Sequence, residues 1–163
     1  MNPWSVLGRV SFKSLARGLW LGLGHPLFLW PTIGATRDCV RISTHHFGRL
    51  HHKNGPANAF RHALWNYLIA EACFPWTSKE ERAIVWAEKI TLWHEDSFPN
   101  KELARKMDLH NNAVGRDLLR QGRDREREVV IGLLLEMSGA SVLIDTGTDL
   151  SQLKNQLVHI IRT

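Results

Sequence analysis

The chain has little that would staple or anchor it. Cysteine occurs twice in 163 residues, as Cys39 and Cys73 with no CxxC spacing, which excludes a disulfide framework and points to a reducing compartment. Long apolar runs are also missing. Leu15 to Ala35 is the best stretch, but Arg17, His25, Pro26 and Pro31 interrupt it, whereas a spanning helix needs about 20 apolar residues in a row. It is expected to pack on the core or to lie at a membrane surface, with core packing the stronger expectation. The first residues do not form a clean signal peptide either, because Arg9, Lys13 and Arg17 break the apolar pattern and no small-residue cleavage site follows. No glycine-rich phosphate loop, internal repeat, low-complexity tract or linker occurs, so a single unit is expected over 1–163.

What is present suits that unit. Hydrophobic residues make up 44% of the chain and seven are Trp, enough for one apolar core at this length. Lys and Arg exceed Asp and Glu by 21 to 16, with nine His that add charge only in acid. Such a modest excess suits phosphate, nucleic acid or anionic lipid, and equally suits plain solubility.

The punctuation predicts mainly helix. Asn2-Pro3 reads as a helix start followed by Val6, Leu7 and Val10, a short helix covers Ser14 to Leu23, and Gly24-His-Pro26 and Trp30-Pro31 break the chain before a helix over Thr36 to Phe47. After Lys53-Asn-Gly-Pro56, Asn58 is a natural N-cap, with Phe60, Ala63, Leu64, Tyr67 and Leu68 at helical spacing up to Pro75. Thr77-Ser78 before Glu80 and Glu81 predicts a capping box for a helix that runs to about His94 and stops at Phe98-Pro99. Asn100 to Gln121 is expected to be helical in its second half, and Asp124 to Ser138 forms a helix ended by Gly139. The tail is ambiguous: Val142 to Ile144 and Leu157 to Ile160 could form two short paired strands around a helix over Asp149 to Gln156, and mainly helix is expected. The fold class is therefore all-α, a bundle-like domain with two short strands near its C-terminal end, and the motif core lies at about 45–120.

Within these segments two clusters set polar, titratable side chains where core would be expected: Asn58-Ala-Phe-Arg-His-Ala-Leu-Trp-Asn66 and Met107-Asp-Leu-His-Asn-Asn-Ala-Val-Gly-Arg116. Burying imidazole, carboxylate and carboxamide groups costs free energy unless each is partnered, so the clusters mark either a site or an internal network. Asn58, His62 and Asn66 fall at i, i+4 and i+8, one stripe of a helix, although a lone His62 could equally be a satisfied core histidine. His94-Glu95-Asp96 lies where the next helix ends. A His there suits the helix dipole, but carboxylates gain nothing from that end and invite a metal or an Arg. The second His of an HExxH zinc site is missing. Asp108 and Asn111 could form a box-like cap if the helix starts after Asp108. If the helix runs through, Asp108, Asn112 and Gly115 share one face, and Gly115 admits a close backbone or ligand. His110 and Asn112 are unexplained by capping. Arg61 and Arg116 could clamp phosphate or carboxylate, or pair with Asp96, Asp108 or Asp117. His45-His46 and His51-His52 are candidate ligands or solvated loop residues, with His51 or His52 nearest the Asn58 helix.

These motifs, with the His51-His-Lys-Asn-Gly55 stretch upstream, resemble an uncharacterised bacterial domain family with an N-A-F-R-H-A-x-W-N segment and a later M-D-L-H-N-N-x-x-G-R segment. The resemblance covers about Ser14 to Arg120, and Trp93-His94-Glu95 falls where toxin-like relatives have A-H-E. Members are small stand-alone proteins of Bacteroidetes-type bacteria and C-terminal domains of repeat-containing, toxin-like proteins. The resemblance implies no established reaction; the toxin association favours a hydrolase.

The leading expectation is a hydrolase with catalytic and metal-ligating candidates His62, Glu95, Asp108 and His110, and substrate-binding candidates Asn58, Arg61, Asn66, Asn111, Asn112 and Arg116. A divalent metal would activate water for attack on a phosphodiester or phospholipid-like substrate, in a cytoplasmic protein that could touch membrane peripherally. The competing expectations are a non-enzymatic interaction module whose His, Asp and Asn side chains form an internal hydrogen-bond network, and, behind it, a nucleic-acid-binding helical protein using Arg120, Arg123, Arg125 and Arg127.

Overall fold

The computed structural model describes residues 12–98, 100–122 and 125–161. The expected helix start at Asn2-Pro3 and residues Arg123 and Asp124 of the basic segment lie outside the described residues. In chain order the α-helices are α1 (Phe12–Gly24), α2 (Pro26–Phe47), α3 (Pro56–Cys73), α4 (Glu80–Ser97), α5 (Glu102–Gln121) and α6 (Arg127–Gly139). Short 3-10 turns at Leu50–His52, Phe74–Trp76 and Leu150–Leu153 punctuate them, and β1 (Val142–Leu143) pairs in parallel with β2 (Val158–His159), Val142 opposite Val158.

The centre of the molecule is α3, which packs against α2, α4, α5 and α6 at once. A helix packed on so many sides buries most of its circumference, and Phe60, Ala63, Leu64, Tyr67, Leu68 and Ile69 are all buried, with Arg61 and Trp65 partly exposed. The sequence stripe through Phe60, Leu64 and Leu68 is therefore half of a core helix. Helix α5 crosses α3 so tightly that a Cβ on Gly115 would overlap the Ala63 carbonyl and stand 2.8 Å from the Ala63 Cα. The close neighbour that Gly115 admits is backbone.

Local signals were overruled at several places. Pro31 does not break the chain, because it sits near the start of α2 and removes a single hydrogen bond there, to the carbonyl of Leu27, an exposed residue. Asn58 is not a cap: Pro56 takes the first helical position with Gly55 extended before it, and Asn58 turns its amide back to the His51 carbonyl. The capping box at Thr77-Ser78 does not form, since Lys79 precedes the helix and the Thr77 hydroxyl accepts from the Lys79 N–H instead. Helix α4 continues to Ser97, which puts His94 and Glu95 inside it, and α5 is helical from Glu102, so Asp108 lies in mid-helix and is no cap.

The C-terminal segment closes over the outer face of α5. Asn111 clasps Val158 with both ends of its amide, donating to the Val158 carbonyl and accepting from its N–H, each at 2.9 Å. It completes the free edge of β2, beside a small apolar cluster of Met107, Ile144 and Val158. Replacing Asn111 with alanine leaves two buried backbone groups unpaired and is expected to cost about 2–4 kcal/mol. Amide exchange at Val158 should rise by orders of magnitude; unchanged protection there would refute the clasp.

Candidate metal centre

Three helices deliver one side chain each to a common point. His62 from α3, Glu95 from α4 and Asp108 from α5 offer ligand atoms that all lie within 4.8 Å of one another, and each residue is only 4% exposed. Among the described residues no other group of three or more His, Cys, Asp or Glu side chains is gathered this way. Helical spacing explains the selection. On α5, Asp108, Asn112 and Gly115 fall on the face pressed against α3, and on α4, Thr91 precedes Glu95 by one turn.

The imidazole is oriented by its neighbours. Arg61 Nη2 lies 2.8 Å from His62 Nε2, and since a guanidinium can only donate, Nε2 must carry a lone pair. The proton then resides on Nδ1, which donates to Asn112 Oδ1 at 3.2 Å. Asn112 is itself held by Asn66, whose amide donates to the same oxygen at 2.7 Å, while Asn66 Oδ1 accepts from Thr91 and Arg116. Arg116 also reaches Glu88 at 3.2 Å. An Nδ1–H held by a carbonyl oxygen, which leaves the lone pair on Nε2, is how ligating histidines are commonly set.

The carboxylates are poorly satisfied. Glu95 Oε1 and Asp108 Oδ1 are buried without a hydrogen-bond partner, as is Asn112 Nδ2. Asp108 Oδ1 stands 3.4 Å from His62 Nε2 and Glu95 Oε1 3.9 Å from His62 Nδ1. Burial, reinforced by its neighbour Glu95 and opposed by Arg61 and Asn100, pushes Asp108 up to about 7. Burial likewise lifts Glu95 to about 7 against the pull of Arg61 and Arg105. Burial, then the positive Arg61 and the nearby His94, hold His62 well below the usual imidazole range, so it is neutral and these contacts are not ion pairs. Neutral imidazole beside two frustrated carboxyl groups is a donor set that a divalent cation would satisfy.

A cavity of about 140 Å³ opens beside the centre, lined by Cys39, Arg61, His62, Trp65 and His94 among others. Burial pushes the Cys39 thiol up to about 12, which rules it out as a nucleophile.

The remaining sequence candidates go elsewhere. His110, two residues from Asp108 and so on the far side of α5, bonds the Gln156 carbonyl at 2.9 Å and does not join the centre. Asn111 binds the tail, and Asn58 holds the turn at His51. His51 is buried against Thr44 and held down to about 4, chiefly by burial; His52 is exposed beside it. Neither reaches His62. Arg116 is spent on Asn66 and Glu88 and clamps nothing from outside, while Asp96 pairs with Arg105 and Arg17, and Asp117 with Arg120. Arg120 also pairs with Glu81, and Arg127 with Glu71 and Asp38, which neutralises much of the basic segment. Thr91 and Glu88 were missed by the sequence reading. Thr91 could have been found, since it lies one turn before Glu95, whereas nothing local links Glu88 to Arg116.

Residues 19–141 match a family described as Domain of unknown function (DUF6973). The chain belongs to this family. The matched span of the DUF6973 domain runs from within α1 to the end of α6 and contains His62, Glu95 and Asp108 together with Asn66, Asn112 and Gly115. This agrees, at the level of the family, with the resemblance to an uncharacterised domain. Neither the curated proteins nor the solved structures compared with this DUF6973 chain give a match.

Proposed function

We propose that the chain is a metal-dependent hydrolase, acting on a phosphodiester or phospholipid-like substrate in the cytoplasm, with His62, Glu95 and Asp108 as the ligands of a divalent cation. One observation carries this reading: two buried carboxylate oxygens without partners flank a neutral, oriented imidazole, Asp108 Oδ1 at 3.4 Å from its lone-pair Nε2 and Glu95 Oε1 at 3.9 Å from its Nδ1. An internal network would be expected to satisfy its own members. The cation would supply Lewis acidity and an activated water. Glu95, one of the three residues that would hold the cation, would also be the carboxylate placed to accept a proton from the attacking water. Arg61, which lies against His62 Nε2 and lines the adjoining cavity, would be the guanidinium placed to neutralise charge developing on a phosphoryl oxygen there. Asn112 and Asn66 position the imidazole and touch no substrate. The toxin-like resemblance and the modest basic balance add support for this class of substrate.

A second reading has its own observation. Arg61 already lies against His62 and lowers both carboxyl groups, so it could serve as a built-in counter-cation to a purely structural Asn66/Asn112/Arg116 network. Elemental analysis of untagged protein purified without chelator separates the two. About one divalent ion per chain is expected, with an Asp108→Asn variant losing affinity at least about tenfold and phosphodiesterase activity on bis(p-nitrophenyl) phosphate at least about a hundredfold. Metal-free protein that binds no added zinc, manganese or magnesium would hand the centre to the structural reading.

A further inference from the structure

The corner between α1 and α2 presents apolar side chains that the fold does not use. The two helices are joined through the single residue His25, and Leu29 on α2 packs over Gly22 on α1. One side of α2 reaches the core through Phe28, Thr32 and Ala35. On the other side, and along α1, Leu19, Trp20, Leu23, Leu27 and Trp30 are each more than three-fifths exposed, with Trp20 at 74% and Trp30 at 77%. Single exposed apolar residues are ordinary; five large ones within twelve positions are not. The expectation that this stretch mainly packs on the core holds for one face only. No helix among the described residues is long and apolar enough to cross a membrane.

The sequence of this corner is basic: no Asp or Glu occurs between Phe12 and Asp38, while Lys13, Arg17 and Arg37 do, and Arg17 alone of these reaches an acid, Asp96 at 3.5 Å, among the described ion pairs. Beside it, a cavity of about 330 Å³ is lined by His25 and Phe28 from the corner and by Arg82 and Lys89 of α4 and Lys79 just before it. Among the described residues no carboxylate pairs with these three exposed cations, and the one acid in the lining, Glu81, is engaged by Arg120 at 2.8 Å. Exposed Trp and Leu on a short amphipathic helix, next to unpaired Lys and Arg, are the chemistry of an interface that enters the headgroup layer of an anionic bilayer. The corner is held firmly: the Trp93 indole donates to the Ser14 carbonyl at 2.8 Å, and a Cβ on Gly18 would lie 2.7 Å from the Trp93 ring.

We propose that the α1–α2 corner docks this protein on an anionic lipid surface, with Trp20 and Trp30 inserted among the headgroups and Lys79, Arg82 and Lys89 against the phosphates. The proposal stands independently of the metal centre, and its test is made with chelator present. Full-length protein is mixed with vesicles of phosphatidylcholine alone or of equal parts phosphatidylcholine and phosphatidylglycerol, and binding is read by flotation. Flotation with the anionic vesicles alone, released by salt, is expected. A Trp20→Ala/Trp30→Ala variant and, separately, an Lys79→Glu/Arg82→Glu variant should each weaken binding roughly tenfold or more while melting at the wild-type temperature, since all four residues are exposed. Failure to float, equal flotation with both vesicle types, or variants that float like wild type would overturn the proposal. So would a dimer that dissociates in the tryptophan variant, with no vesicle binding, since a second copy would then be the occupant.

Discussion

Replacing Gly115 with alanine is expected to be among the most damaging single-methyl changes available to this protein. The added carbon would overlap the carbonyl of Ala63, and an obstacle made of helix backbone cannot rotate away as a side chain can. Helices α3 and α5 would have to separate, loosening the core and pulling His62 and Asp108 apart. A loss of at least about 3 kcal/mol, or roughly 10 °C in melting temperature, follows for a domain of this size. Gly132 supplies the control. It lies within α6, and a methyl added there would meet nothing within 4 Å, so Gly132→Ala should be neutral or stabilise by about 0.5–1 kcal/mol. Thermal melts of the two variants side by side decide it: similar melting temperatures would mean that the helices do not cross at Gly115.

Asp108→Asn should stabilise the metal-free protein at neutral and alkaline pH. Both carboxyl groups titrate in the fold at about 7, above the ordinary 3.8 of Asp108 and 4.5 of Glu95. A raised carboxyl favours folding while protonated; its contribution is fully present below the unfolded value and is lost as pH rises through the folded one. His62 runs the other way. Its folded value is depressed, so stability falls as pH drops through 6.5 and the unfolded chain takes up the proton. Comparing wild type with Asp108→Asn at each pH largely cancels the His62 contribution. The variant's advantage should grow between about pH 4 and 7 by up to roughly 1.4 kcal/mol per pH unit, then level off. An added divalent cation should reverse the order, since it stabilises wild type and leaves the variant behind. Urea unfolding at acid and alkaline pH, with chelator and with manganese, reads both effects. A gap that ignores pH would show that Asp108 is not raised, and a wild type indifferent to cations would count against a metal role.

On the proposed reading, Asp108 makes function and stability pull apart. A buried carboxylate kept where it costs stability is understandable if something binds it, and this is why removing it distinguishes a site from a scaffold. A network residue such as Asn111 behaves oppositely, because its loss leaves its partners unpaired at every pH.

Much of this was legible in the chain. Apolar spacing and Gly/Pro punctuation marked most of the described helices but missed the first halves of α2 and α5, and the paired short strands near the C-terminal end were one reading of two apolar runs. Composition placed polar groups in core segments and so marked His62, Glu95 and Asp108. Local rules failed where tertiary contact outweighed them: Pro31 was carried through because α2 gains more from packing Phe28, Thr32 and Ala35 than it loses in one hydrogen bond, and Asn58 was drawn to the His51 carbonyl.

Residue types and their periodicity thus determined that helices form and that His62 lies on a polar stripe of one of them; that Glu95 and Asp108 lie inside their helices and face inward was decided by the tertiary structure. Which face of α5 meets α3 was decided only by the tertiary structure, because the close crossing at Gly115 turns Asp108 and Asn112 toward His62 and sends His110 and Asn111 to the tail. A one-residue change of helix position rotates a side chain by about 100°, so neighbours in a single motif part company, and only the packing of whole helices settles which of them share a site.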